Sequence, residues 1–73
     1  MKLHYYPETD SLYIDLIDAP SVESQEVRAG VVLDFDAEGR LVGIDLDHAS
    51  RHGTLDQLQI ANFPTTPQVT PAA

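Results

Sequence analysis

The sequence predicts a small α+β fold that is mainly β, with a single antiparallel meander sheet of four to five strands and a short C-terminal helix or turn. Three observations predict it. Apolar and polar residues alternate in several short runs, turn formers separate those runs, and 73 residues support one domain at most. We place this β-rich domain at residues 1–62 and a Pro/Thr-rich extended tail at residues 63–73.

The first predicted hairpin lies at the N-terminus. Residues 3–6 form a short β-prone run, and the turn formers of residues 7–11 follow it. Residues 12–17 then alternate, so Leu12, Ile14 and Leu16 share one face of a strand. Two alternating runs around such a turn are typical of a β-hairpin.

The middle of the chain predicts two or three further strands. Residues 22–27 are polar and fit an exposed strand, although a helix also suits Ser24, Gln25 and Glu26. Residues 31–35 and 41–46 both alternate, and Gly39 between them can adopt the positive φ of a tight turn. These two runs therefore predict a second hairpin.

The C-terminal part predicts a short helix and then an extended tail. Thr54 can cap a helix over residues 55–60, with Gln57 completing a capping box. From Pro64 the chain has no charged side chain and three prolines. It is either a disordered tail or an arm that lies on a neighbouring chain.

The alternating runs also predict a core and a mode of association. Tyr13, Ile17 and Val32 are candidates for a second apolar surface on the opposite side. A sheet with one open apolar face is costly in so small a protein, so we expect a homodimer or higher homo-oligomer that closes it. The predicted core consists of Leu12, Ile14, Leu16, Val31, Leu33, Phe35, Val42, Ile44 and Leu46.

Charge and composition limit the possible partners. Twelve acidic residues against four basic ones give a formal charge of −8, which repels nucleic acid and anionic membranes and attracts a basic protein. The chain has no cysteine, and it has no apolar run long enough for a membrane helix or signal peptide. We therefore expect a cytoplasmic protein that binds neither nucleic acid nor membrane.

The stretch from Asp34 to Asp45 nearly matches a calcium loop. Carboxylates at Asp34, Asp36 and Glu38 precede Gly39, and Asp45 stands at the twelfth position. A calcium hand needs a helix on each side, whereas the flanking runs alternate like strands. We interpret the stretch as a turn between two strands and predict no metal ligand and no cofactor.

A second metal candidate and the catalytic candidates are weaker. His48 and His52 are four residues apart, which suits zinc on a helix, but Gly53 follows at once. No serine has the glycine-flanked elbow of hydrolases, and no glycine-rich phosphate loop is present. We predict no catalytic residue. The isolated Gly30, Gly39 and Gly43 fit turns or close-packing positions.

Two motifs in order resemble a known family. The first is Y-x-x-x-x-D-x-L-Y-I over residues 5–14, and the second is L-D-x-D-x-x-G-x-x-V-G-I over residues 33–44. The chain resembles, over roughly residues 5–50, the small bacterial family called domain of unknown function 2283. The resemblance implies a stand-alone domain without an established activity, and some members are associated with toxin-like genes.

Two classes of function follow. The favoured hypothesis is a non-catalytic binding or regulatory module that self-associates and uses its acidic surface to hold a basic protein, such as a toxin. The alternative is a small metal-dependent hydrolase whose site would combine five residues. These are Asp34, Asp36, Asp45, Asp47 and His48.

Overall fold

The chain forms one open antiparallel sheet of five strands. The computed structural model describes residues 1–69. A 3₁₀ turn at Ala49–Arg51 follows the last strand. The mainly β class, the antiparallel pairing and the count of four to five strands are confirmed. The strands are β1 (Lys2–Tyr6), β2 (Ser11–Asp15), β3 (Glu23–Arg28), β4 (Val31–Phe35) and β5 (Leu41–Leu46).

The predicted meander order is wrong. The strands lie in the order β1-β2-β5-β4-β3, so β2 pairs with β5 instead of β3, and strands β2 to β5 form a Greek key. The connection after β2 crosses the end of the sheet. There the N–H of Leu16 donates to the carbonyl of Val42 at 2.8 Å, and the N–H of Val22 donates to that of Phe35 at 2.9 Å.

Both predicted hairpins are confirmed by the strand register. Leu3 lies opposite Ile14 in the β1–β2 hairpin, and Leu33 lies opposite Ile44 in the β4–β5 hairpin. The polar run that fitted a strand or a helix is the edge strand β3, and all of its residues are exposed. Pairing to β4 satisfies its backbone on one side, which a short isolated helix could not achieve.

Register and alternation give the sheet two chemically different sides. Ile14 of β2 lies opposite Ile44 of β5, which lies opposite Leu33 of β4, so the predicted apolar residues do share one side. We call this side the apolar face. It consists of Leu3, Tyr5, Leu12, Ile14, Val31, Leu33, Phe35, Ile44 and Leu46.

The predicted core is only half confirmed. Its residues lie on a common face, but Val42 is the one member that is buried, at 2% exposure, and the other eight stay partly exposed. Ala49 is the second buried apolar residue, at 1%. A single sheet supplies no second layer, so alternation correctly predicts which side chains point together but not that something covers them.

Of the predicted C-terminal helix or turn, the helix is wrong, because residues 54–69 contain no helix or strand, and the sheet is followed by the 3₁₀ turn at Ala49–Arg51. A helix from Leu55 to Ile60 would have fewer than two turns, too few to repay nucleation. Pro64 also disfavours the helical conformation in the residue before it. The domain limits at residues 62 and 63 stay predictions, and residues 70–73 of the predicted tail lie outside the described residues. No helix within residues 1–69 is long and apolar enough to cross a membrane.

Asp10 joins the first turn to the segment that follows β5. It adopts a left-handed conformation with φ 53°, which aspartate tolerates better than most residues. Its carboxylate accepts hydrogen bonds from the hydroxyls of Ser50 at 2.6 Å and Tyr5 at 2.8 Å, and its carbonyl accepts the N–H of Ala49 at 2.7 Å. These bonds fix the point from which the C-terminal segment leaves the sheet.

Asp36 organises the turn between β4 and β5. Its side chain is buried, and it accepts the N–H groups of Glu38 at 3.0 Å and Arg40 at 2.8 Å, together with Nε of Arg40 at 2.7 Å. Burial acts to raise the pKa of Asp36, but the hydrogen bonds from Arg40 and Glu38 outweigh it and hold that pKa below its usual value. Gly39 completes the turn with φ +79°.

Gly39→Ala tests the turn geometry. We expect a loss of about 1–2 kcal/mol in the free energy of unfolding, because a Cβ strains the left-handed backbone even where it meets no neighbour. Gly53→Ala is the matched control, since a Cβ there also meets nothing within 4 Å and Gly53 has no positive φ. Urea unfolding measures both. Equal stability of the two variants would contradict the turn.

Candidate functional site

The second side of the sheet is acidic. Asp45 of β5 lies opposite Tyr13 of β2 on one flank and Val32 of β4 on the other. Gly43 lies between Asp15 and Asp34 in the same way. We call this side the acidic face, and its members on these strands and on β3 are Tyr13, Asp15, Ser24, Glu26, Val32, Asp34, Gly43 and Asp45.

Tyr13 spans the middle of the acidic face. Its side chain starts on β2, passes over Gly43 of β5 and donates a hydrogen bond from its hydroxyl to Oδ2 of Asp34 on β4, at 2.8 Å. Ser24 of β3 donates to the other oxygen of the same carboxylate at 2.6 Å. One network of side chains thus ties four strands together across this face.

Gly43 makes that network possible. A Cβ at Gly43 would overlap the hydroxyl and ring of Tyr13, so the phenol ring can cross β5 only where the side chain is a hydrogen atom. Glycine in a strand interior normally weakens the strand, and it often marks a position where another group approaches the backbone closely. The prediction of a close-packing glycine at this position is therefore confirmed.

The acidic face perturbs the groups it holds. Burial of the hydroxyl, followed by the hydrogen bond to Asp34 and the nearby negative charges, raises the pKa of Tyr13 to about 12. Burial first, and then the charges of Asp47 and Asp34, raise the pKa of Asp45. Ionisation of Asp45 is therefore less favourable in the folded chain than in a free aspartate, and a positive charge brought to this face would make it more favourable.

The carboxylates of this face form no ion pair within residues 1–69. Among residues 1–69 the side-chain ion pairs are those of Arg40 with Asp36, at 2.7 Å, and with Glu38, at 3.8 Å. Both lie in the β4–β5 turn and not on the acidic face. Lys2 of β1 lies opposite Asp15 on the same side of the sheet but forms no ion pair with it, and Glu26 and Asp45 have no ion-pair partner among the described residues either.

The calcium pattern belongs to a hairpin, as predicted. Asp34 points to the acidic face, Asp36 caps the turn and Glu38 pairs with Arg40. Strands flank the turn on both sides, and Asp45 extends from the second of them. These side chains do not aim at a common centre.

The residues of the hydrolase alternative are divided between separate places. Asp34 and Asp45 lie on the acidic face, with Asp47 just beyond the end of β5. Asp36 lies in the turn at the opposite end of that strand, and His48 adjoins the junction built around Asp10. Within residues 1–69 no group of three or more His, Asp or Glu side chains could hold a metal ion.

The histidine pair does not lie on a helix. His48 precedes the 3₁₀ turn in a left-handed conformation, with φ 52°, and His52 follows the turn. The helical geometry that would place residues four apart on one face is therefore missing. The proposed second apolar surface is also incorrect for Tyr13, because its hydroxyl belongs to the polar network, and Ile17 lies in the connection beyond β2.

Two features were not predicted from the sequence. The bond between Tyr13 and Asp34 joins residues 21 apart, and the bond between Asp10 and Ser50 joins residues 40 apart. Neither pairing follows from local spacing. The available signal was Gly43 in the middle of an alternating run, but it did not identify Tyr13 as the side chain that occupies the space.

Comparison with known proteins gives one family. The model of a family described as Protein of unknown function (DUF2283) matches residues 2–50, a range that contains all five strands. Comparisons with curated proteins and with solved structures found no match. The two motifs that carry the earlier resemblance contain Asp10, Tyr13, Asp34, Asp36 and Gly43, which are the residues of the contacts described above.

Gly43→Ala tests the crossing of Tyr13 over β5. We expect a loss of about 1–3 kcal/mol in the free energy of unfolding, because the new methyl group forces the phenol ring aside. In a Tyr13→Val background the same substitution should cost much less. A double-mutant cycle by urea unfolding measures the coupling, and additive effects would show that the two residues do not share this space.

Tyr13→Phe tests the hydrogen bond to Asp34. We expect a loss of about 0.5–1.5 kcal/mol near neutral pH, the usual net contribution of one hydrogen bond. Because the folded pKa of about 12 exceeds that of free tyrosine, this contribution is complete below about pH 10 and declines as the pH rises further.

Urea unfolding from about pH 8 to about pH 11 measures that dependence. Tyr6→Phe is the control, since the Tyr6 hydroxyl makes no side-chain hydrogen bond among residues 1–69. The gap between wild type and Tyr13→Phe should narrow toward high pH. A gap that stays constant, or that Tyr6→Phe reproduces, contradicts the assignment.

Proposed function

The chain belongs to the family of Protein of unknown function (DUF2283), and we propose that it is a non-catalytic binding or regulatory module that holds a basic protein against its acidic face. Membership of this family assigns no activity to the chain, so the proposal depends on the structure. The observation that carries it is a sheet surface on which carboxylates of neighbouring strands stand side by side and make no ion pair within residues 1–69.

The acidic face has the form of a docking surface and not of a reaction centre. Its side chains stand on strands, which hold them at fixed spacing, and the network of Tyr13, Asp34 and Ser24 limits their movement. Its carboxylates spread over neighbouring strands of an open surface. Spread negative charge on a rigid surface attracts a positively charged partner and orients its approach.

The formal charge of −8 supports a basic partner on a longer range. It increases the rate of encounter with a cationic protein and repels nucleic acid and anionic membranes. A positive charge on the partner would also offset the burial, and the repulsion from Asp47 and Asp34, that together raise the pKa of Asp45. A basic protein such as a toxin meets these requirements, and a cytoplasmic location remains a prediction from the sequence.

A charge-neutralisation experiment tests whether binding depends on the acidic face or only on the net charge of the chain. The face variant carries Asp15→Asn, Glu26→Gln and Asp45→Asn. The control variant carries Glu8→Gln, Asp18→Asn and Glu38→Gln, which lie in the first turn, in the β2–β3 connection and in the β4–β5 turn. Both variants lose three negative charges from the same total of −8.

The probe is a fluorescent lysine- and arginine-rich peptide, and anisotropy measures its dissociation constant at low and physiological salt. We expect the face variant to bind about 10 to 100 times more weakly than wild type, with a smaller salt dependence, while the control variant changes by less than about threefold. Equal weakening of the two variants contradicts a dedicated face, and the absence of binding to wild type contradicts the proposal as a whole.

A further inference from the structure

The apolar face is too large to remain open in water. None of its side chains is fully buried, although they are contiguous across β1, β2, β5 and β4. A folded monomer of 8.0 kDa exposes about 4,450 Å², whereas this chain exposes 6001 Å². The exposed C-terminal segment contributes to this difference.

The chain's own C-terminal segment reaches only one half of this face. Residues 54–58 line a groove of about 520 Å³ together with Leu3, Tyr5 and Leu12, which are the β1 and β2 members of the apolar face. Within residues 1–69, no residue of β4 or β5 lines this groove. The segment therefore lies beside the β1–β2 half of the apolar face, and this groove does not extend to β4.

The segment also presents apolar side chains outward. Leu55 is 45% exposed and Leu58 is 66% exposed, although both take part in lining the groove. The exposed leucines of this segment thus lie beside the β1–β2 half of the apolar face, and the apolar side chains of β4 form the other half. A two-fold axis parallel to the strands exchanges these halves between two copies that face each other.

We propose that a second copy of this chain covers the apolar face, with the segment of residues 54–58 of each copy packed on the β4 half of the other. In this homodimer the partner's Leu55 and Leu58 contact Val31, Leu33 and Phe35, and the reverse contact forms by symmetry. The arrangement is a two-layer sandwich, which supplies the second layer that one sheet lacks.

Charge favours a second copy as the occupant. Four of the twelve acids, Asp15, Glu26, Asp34 and Asp45, stand on the opposite face, and the nine members of the apolar face carry no charge. The charged residues beside it have both signs, with Arg28 and Glu23 on β3 and Asp56 in the segment, so the face itself brings no like charges together. Glu23 and Gln25 of β3 lie at its edge and would form a polar rim. A standard interface removes about 800 Å² from each partner.

Sedimentation equilibrium of the full chain tests this inference with two variants. Leu58→Asp places a charge in the proposed interface, and Val69→Asp places the same charge on a side chain that is 80% exposed and lies outside the groove lining. Leu55→Asp is a second interface variant. Circular dichroism of each variant at the same concentration establishes that the sheet is retained.

Wild type and Val69→Asp should sediment as dimers at micromolar concentration. Leu58→Asp and Leu55→Asp should raise the dimer dissociation constant by about 100-fold or more, because symmetry inserts the charge twice into apolar surroundings. A wild-type chain that stays monomeric overturns the proposal, and so does a dimer that tolerates both interface variants. Neither result bears on the acidic face, which the peptide experiment tests separately.

Discussion

One constraint governs this molecule: a five-stranded sheet has two faces, and the described residues 1–69 supply no second layer of helices or strands for either. Backbone hydrogen bonds are satisfied within the sheet, so the strands form readily, but the side chains of each face need their own solution. On one face the solution is polar, through the network of Tyr13, Asp34 and Ser24. On the other face the side chains are apolar and partly exposed. How each face of the sheet is satisfied therefore determines both the stability of the fold and the kind of partner it can bind.

Local patterns predicted much of the fold because they depend on neighbouring residues. Alternation placed Leu12, Ile14, Leu33 and Ile44 on one face, and turn residues marked both hairpins. The order of the strands could not be derived in this way, since β2 and β5 are joined by contacts distant in sequence. The helix expected after Thr54 failed for a related reason. A capping pattern indicates where a helix can begin, but tertiary contacts decide whether a short one forms.

The candidate site shows how one spacing can serve two structures. The carboxylates from Asp34 to Asp45 resemble a calcium loop, yet the flanking strands turn Asp34 toward the acidic face and Asp36 into a turn cap. Strand periodicity was sufficient to decide between these structures. It was not sufficient to find the partner of Tyr13, because a contact across Gly43 depends on which strands are neighbours. The sequence thus predicts that the chain is acidic, but it does not predict which acids stand together on one face of the sheet.

These features combine into an account of a two-sided module, in which one face joins two copies and the other presents acids to a basic protein. The most direct measurement of its central claim is an isotope-filtered NOE experiment on a mixture of labelled and unlabelled chains, which detects contacts only between copies. The account predicts intermolecular NOEs between the methyl groups of Leu58 and those of Val31 and Leu33. A spectrum without intermolecular NOEs to the apolar face, at a concentration where the chain is folded, would contradict it.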